Sequence, residues 1–351
     1  MIGAVLIAVL GGQPLFVNDA SRGAHPPQVA AAPNGAVAVL MPQLAAPAQL
    51  VIVERGGKLV GKPRLLLKSS LFAKLTFAPE LKAWGVVAVR EGAPRVVVFA
   101  KVGVDPRASV EEWELPNSEG CGGDGRLHLA WSAPREEFLA VFSCQSGVRL
   151  VHVSPSGHRR TETLEAFQPS APAWRGEGWL IAANTSEGAR LFQVGADGVQ
   201  TSQRLPHRFS EAVIAGSESE VVVVSIDHEG GAYPVRVSRL VESEDGSSRV
   251  VMSARDRKAS SLASPAIFSR PGGGFDLIVT EQSIAGGWPG HLVRLQLGPS
   301  MEPKGDATLL VPDEVTSGWA SAVATPWAIL VATHVGDPND RHRIVVHQAA
   351  R

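Results

Sequence analysis

One unit recurs seven times along the 351 residues, and that repetition constrains the fold more than any other feature of the chain. A short apolar run meets a Pro/Gly/Ser turn, a second run rich in Val, Leu and Ile follows, and a third strand comes after it. The copies begin AAAPNGAVAVL at Ala30, LTFAPELKAWGVVAV at Leu75, LAWSAPREEFLAVF at Leu129 and PAWRGEGWLIAA at Pro172. They continue with AVIAGSESEVVVVS at Ala212, AIFSRPGGGFDLIVT at Ala266 and AVATPWAILVAT at Ala322. With Val29, Leu75, Leu127, Ala173, Val213, Ala266 and Ala320 as first-strand markers, the spacings are 46, 52, 46, 40, 53 and 54 residues. Periods of that size with several short strands per unit are those of radially arranged blades. The expected fold is all-β, a seven-bladed β-propeller with four-stranded antiparallel blades. Helical periodicity and capping boxes are essentially absent, which excludes a helical solenoid.

Each unit closes with a third and an outer fourth strand, as in VRLVHVSPSGHRRTETL and ARLFQVGADGVQTSQRL. Gly157, Gly198 and Gly246 stand in the turns, where a hairpin connection asks for positive φ. The last unit stops after RIVVHQA, one strand short, while QPLFVNDAS near the N-terminus resembles outer strands elsewhere. Residues 13–19 are therefore expected to pair with residues 343–349 as the outer strand of the last blade, which removes two exposed edges. Residues 13–351 then read as a single domain. Residues 1–12 read either as a signal-peptide core or as a buried N-terminal strand, since the apolar MIGAVLIAVL lacks a basic leader.

With 33 Lys plus Arg against 34 Asp plus Glu, the chain has no net field to hold a phosphate backbone, so nucleic acid is not an expected partner. No segment after the first residues has the roughly 18 apolar residues of a membrane span. The run Lys58, Lys62, Arg64, Lys68 and Lys74 reads as a solvated outer strand. The two cysteines, Cys121 and Cys144, lack C-x-x-C spacing and so do not form a zinc knuckle. Residues 127–143 read as a hairpin turning near Pro134, which brings both cysteines to one end. A disulfide between them would suit an oxidising compartment, and the chain is expected to be a monomer outside the cytoplasm.

The stretch PAWRGEGWLIAANTSEGARLFQVGADG resembles the repeat of periplasmic TolB-type propellers and related secreted bacterial propellers, of WD40-like kind. That resemblance implies the propeller fold and a location outside the cytoplasm. It carries over no catalytic residue. The chain lacks the Gly-His to Trp-Asp pattern of WD40 repeats, the regularly spaced Gly-Gly of kelch repeats and a full sialidase Asp-box.

Motifs of enzymes fail on their context. Residues 120–125 match G-x-G-x-x-G, but a strand follows where a dinucleotide fingerprint needs a helix. Gly56–Lys62 fits G-x-x-x-x-G-K, yet Pro63 replaces the magnesium-binding hydroxyl. Neither G-x-S-x-G nor H-E-x-x-H occurs. Trp131, Trp174, Trp179 and Trp327 read as packing between blades. Trp288 and Trp319 stand where no apolar run surrounds them and read as contact residues.

The second-to-third-strand and inter-blade loops of a propeller share one face. There the sequence nominates a ligand surface of Asp227, His228, Glu229, Tyr233, Trp288, His291 and Trp319. His334, Asp337, Asp340 and His342 supply N and O donors that could hold a divalent metal such as calcium, although no cofactor is expected. Small apolar residues taken to line the channel, Val37, Val39, Ala130, Ala173 and Ala322, favour a non-enzymatic scaffold for a protein, peptide or glycan. A hydrolase- or lactonase-type propeller enzyme is the alternative.

Overall fold

Unbroken β-branched runs such as Val86-Val87 and Val221–Val224 contain no polar alternation, which is the pattern of strands buried on both faces. In the computed structural model each of these valines is at most 5% exposed. The structure describes residues 16–19, 26–43, 46–67, 70–105, 107–217, 220–227, 234–240, 247–254, 260–283, 290–310, 316–336 and 342–350. Among them are twenty-eight strands and no helix.

Strand β1 (Phe16–Asp19) precedes the first blade, β2 (Gln28–Ala31), β3 (Val37–Met41), β4 (Ala48–Val53) and β5 (Arg64–Leu66). The second is β6 (Ser70–Ala78), β7 (Ala83–Arg90), β8 (Val96–Gly103) and β9 (Val110–Glu114). The third is β10 (Leu127–Ser132), β11 (Glu137–Cys144), β12 (Gly147–Val153) and β13 (Arg159–Leu164). The fourth holds β14 (Ala173–Arg175), β15 (Gly178–Thr185), β16 (Gly188–Gly195) and β17 (Gly198–Leu205). The fifth holds β18 (Phe209–Ser217), β19 (Glu220–Asp227), β20 (Val235–Leu240) and β21 (Ser247–Met252). The sixth is β22 (Ser260–Ser269), β23 (Phe275–Ser283), β24 (Gly290–Leu297) and the two-residue β25 (Thr308–Leu309). The seventh is β26 (Thr316–Ala324), β27 (Ala328–Gly336) and β28 (His342–Ala350), completed by β1.

Five of these sets are separate four-stranded sheets, and a single Gly290–Thr316 bridge joins the sixth to the seventh in one eight-stranded sheet. The fold is a seven-bladed β-propeller. All seven first-strand markers read from the sequence lie in first strands. Phe16, Val17, Asn18 and Asp19 pair antiparallel with Val346, Val345, Ile344 and Arg343, as expected of the closing strand; residues 13–15 lie outside the described residues. Gly157 and Gly198 have φ of 83° and 103°, as their turns require, and Gly246 lies outside the described residues. Residues 1–12 also lie outside them.

One reading needs correction. Val37 and Val39 belong to β3, a second strand, because β2 is only four residues long and the longer apolar run begins after the Asn34-Gly35 turn. They are 0% exposed and pack in the core, whereas Ala130, Ala173 and Ala322 do lie on first strands.

Two compact units divide the chain, Met1–Gln145 with Val151–Thr161 and Trp319–Arg351, and Ser146–Leu150 with Glu162–Gly318. In the first, one apolar cluster surrounds Trp84 and another joins Val37, Val39 and Val51 to Leu330 and Ile344. A third gathers Phe99, Phe138 and Phe142. A Cβ on Gly85 would sit 2.5 Å from the Phe138 ring, so this position requires a residue without one. In the second unit, Leu180 and Ala182 pack with Val221 and Val223, and Val222, Val224 and Ile226 pack with Leu277 and Val279. Trp179 is fully buried, and Trp131 and Trp327 pack partly buried against apolar clusters. Trp174 meets Trp179 edge-on at 5.3 Å.

Candidate functional site

Polar residues at strand ends that lead into second-to-third-strand loops are the raw material of the surface nominated from the sequence. Asp227 ends β19 and is 2% exposed. Arg236, across on β20, donates its Nε to Asp227 Oδ2 at 2.6 Å, so this carboxylate anchors the second strand to the third. His291 lies on β24 rather than in a loop, directly opposite Glu281 of β23. Glu281 is 4% exposed, and directly opposed residues place their side chains on the same face of the sheet. His291 Nδ1 and Gln282 Oε1 are buried with no hydrogen-bond partner among the described residues. Glu281 and Gln282 escaped the sequence reading because only the register of β23 on β24 reveals what they face.

Trp319 is likewise on a strand, β26, and it is 47% exposed. Thr333 on β27 donates its hydroxyl to the Trp319 carbonyl at 3.2 Å, which fixes the backbone beneath that indole. His228, Glu229, Tyr233 and Trp288 lie outside the described residues. So do Asp337 and Asp340 of the candidate metal set. His334 is 5% exposed on β27, and His342 opens β28 opposite Gly336. Among the described residues no three His, Cys, Asp or Glu side chains are grouped to hold a metal ion.

The cysteines behave as the hairpin reading expects. β10 and β11 pair from Leu127–Phe142 to Ser132–Glu137, and Cys121 and Cys144 form a disulfide with Cα atoms 4.3 Å apart. The glycine-rich stretch 120–125 is the loop this disulfide holds. Gly122 donates its N–H to Ser143 O, and Gly120 donates to Arg95 O, so those amides serve the fold.

A separate concavity lies in the first unit. A cavity of about 470 Å³ is lined by Val29–Pro33, by Leu75, Thr76, Phe77 and Pro79, and by Ala322–Pro326. These are stretches of the first strands β2, β6 and β26 where they enter their first-to-second-strand turns. In antiparallel sheets such turns lie at the opposite strand ends from the second-to-third-strand loops. The side chains that line the cavity are apolar apart from two threonines, and Thr325 Oγ1 is already engaged with Trp327 N, Ala328 N and Ala328 O. No helix among the described residues is long and apolar enough to cross a membrane.

Known structures share the architecture. Virginiamycin B lyase from Staphylococcus aureus superposes with a TM-score of 0.60 at 14% identity, covering 94% of this chain and 98% of that one. The β-propeller domain of Cps50 (Swd1) from Myceliophteria thermophila superposes with a TM-score of 0.59 at 13% identity, over 99% and 100%. TolB from Acinetobacter baumannii superposes with a TM-score of 0.46 at 12% identity, over 90% and 65%, and adds nothing to the fold assignment. No family model matches the chain, and no curated protein matches its sequence. Identities this low establish the propeller fold and leave function to the site itself.

Proposed function

We propose that this protein is a non-catalytic binding scaffold working outside the cytoplasm. It recognises a protein, peptide or glycan through the surface that carries Trp319. The observation that carries the reading is Trp319, a half-exposed indole on an innermost strand whose own carbonyl is tied down by Thr333. An exposed aromatic surface on a fixed backbone is the usual anchor of a recognition surface, because burial of the ring on binding supplies affinity. The Cys121–Cys144 disulfide supports the extracytoplasmic assignment, since such bonds persist in oxidising compartments.

The test uses the full chain on a glycan array and against a displayed peptide library. Trp319→Ala is expected to weaken the strongest signal by about 1–3 kcal/mol, roughly tenfold or more, with an unchanged melting temperature. Retained affinity would remove Trp319 from the site.

The alternative is a propeller enzyme of hydrolase or lactonase type, and the buried Glu281 opposite His291 is the observation that favours it. A carboxylate beside an imidazole can orient a general base. Turnover of a lactone and ester panel that is lost in both Glu281→Gln and His291→Asn would establish that reading in place of the scaffold.

A further inference from the structure

The cavity beneath the first-to-second-strand turns has an unpaired main-chain edge along one wall. β2 is the end strand of its sheet, so one of its edges has no neighbouring strand. Ala32 donates its N–H to Ala36 O at 2.7 Å, which fixes the direction of the amides along the strand. Backbone groups alternate sides from one residue to the next in an antiparallel ladder. Val29 and Ala31 therefore turn their N–H and C=O groups away from β3 and toward the cavity. Val29 N is met by Ser321 Oγ of β26 at 3.2 Å. The Val29 carbonyl and both backbone groups of Ala31 meet no protein group among the described residues.

Main-chain groups that face a cavity gain from a partner there, because a donor or acceptor left unmet away from water costs free energy. Another backbone, with the same two-residue repeat of donor and acceptor, is the group that matches them. The remaining wall selects the side chains. Ala322 and Ala324 are small and Phe77 is apolar, and no charged side chain lines the space, so an ionic group entering it would lose its hydration without compensation. The volume, about 470 Å³, lies within the range of specific ligand sites.

We propose that this cavity is a strand-addition site for an extended peptide segment with small apolar side chains, which pairs with the edge of β2 through the Val29 carbonyl and both backbone groups of Ala31. Main-chain hydrogen bonds would hold the segment and the cavity walls would choose its side chains, the division of labour found wherever a peptide extends a sheet. Trp319 is not among the residues that line this site, which goes beyond the recognition surface proposed above.

The test measures fluorescence polarisation of an acetylated peptide of alternating valine and alanine, labelled at its C-terminus, against the full chain. Saturable binding is expected, and N-methylation of alternate peptide amides should weaken it about tenfold, the loss of a hydrogen bond or two. Ala31→Pro should do the same with little change in melting temperature. It deletes only the outward N–H, and proline is tolerated where an edge strand's N–H faces away from the ladder. Trp319→Ala should leave this binding unchanged, which separates it from the recognition face. Absence of saturable binding, equal affinity for the N-methylated peptide, or loss of binding in Trp319→Ala would each overturn the proposal. Should Ala31→Pro fail to fold, the N-methylated peptide on the unaltered protein decides alone.

Discussion

The seam that joins β7 and β8 to β10 and β11 and the seam around β19, β20, β23 and β24 serve the same purpose with different chemistry. The first is aromatic: Phe138 lies 5.0 Å from Phe99 and 4.6 Å from Trp131, ring centre to ring centre, and Phe99 stacks on Trp113 at 5.8 Å. Beside it, Trp131 Nε1 donates to Glu80 Oε2 at 2.7 Å, and the Cys121–Cys144 disulfide closes one end. The second seam's fully buried members are aliphatic or methionine, with Val222, Val224, Ile226, Leu277 and Val279 at its centre. Its specific bonds are ionic, Asp227 with Arg236 and Asp276 with Arg294. Large rings fill the space between sheets only where the opposite strand yields it, which is why Gly85 faces Phe138. Branched aliphatic chains fit flat strands without such relief, and the ion pairs beside them link neighbouring strands of one sheet, β19 with β20 and β23 with β24.

The largest expected effect tests whether ring packing dominates. Phe138→Ala should lower stability by about 3–5 kcal/mol, and Val279→Ala in the aliphatic seam by about 2 kcal/mol, both read from urea unfolding. Equal losses would show that the ring contributes less than the area it buries and that ring packing does not dominate. The next effect concerns the covalent end of the aromatic seam. Cys121 and Cys144 are 23 residues apart, and opening a loop of that size is worth about 3 kcal/mol in the chain-entropy model. Dithiothreitol should therefore lower the melting temperature, and Cys121→Ser with Cys144→Ser should reproduce the lower value and abolish the sensitivity. No shift on reduction would remove the disulfide from the comparison.

Acid probes the first unit through a third group. His347 on β28 lies opposite Val331, and burial lowers its pKa from 6.5 to about 4. The unfolded chain takes up the proton near pH 6.5 and the folded one only near 4. Stability is thus fully present above pH 6.5 and falls as the pH drops toward 4, by at most about 3 kcal/mol. His347→Gln should flatten that part of the pH profile, and an unchanged slope would assign the acid sensitivity to other groups.

How much of this was legible in the sequence depends on the range of each interaction. The first strands were readable because each is an apolar run ended by a Pro or Gly turn, and all seven markers fell on the right strand. The disulfide was readable because a single hairpin joins its ends. Asp227 looked like a loop ligand because it opens the polar run DHEGG, while its partner Arg236 becomes visible only once β20 is laid against β19. Trp319 looked like a loop residue because β26, TSGWASAVA, starts among small polar residues on a strand only partly covered. The cavity and the free edge of β2 had no sequence signature, since they depend on which amides turn away from β3.

The smallest expected net effect is that of a double variant, and it bears on why the aliphatic seam keeps its charges. Asp276 is fully buried, and Arg294 donates Nε and Nη2 to the same oxygen, Oδ1, at 2.9 and 2.8 Å. Oδ2 is buried with no partner among the described residues. An arrangement that leaves one carboxylate oxygen unmet recovers only part of the cost of removing both ions from water. Asp276→Ala strands the guanidinium and should lose about 3–5 kcal/mol, whereas replacing both partners with apolar residues of similar volume is commonly neutral or stabilising. Asp276→Val combined with Arg294→Met is therefore expected to match the unaltered protein within about 1 kcal/mol or to exceed it. If the pair's contribution is the register of β23 on β24, the double variant should keep its stability but show additional or broadened amide resonances for those strands in NMR spectra. A double variant as unstable as Asp276→Ala would mean that the ion pair itself holds the seam, and the contrast with the aromatic seam would then be one of chemistry without a difference in what stabilises it.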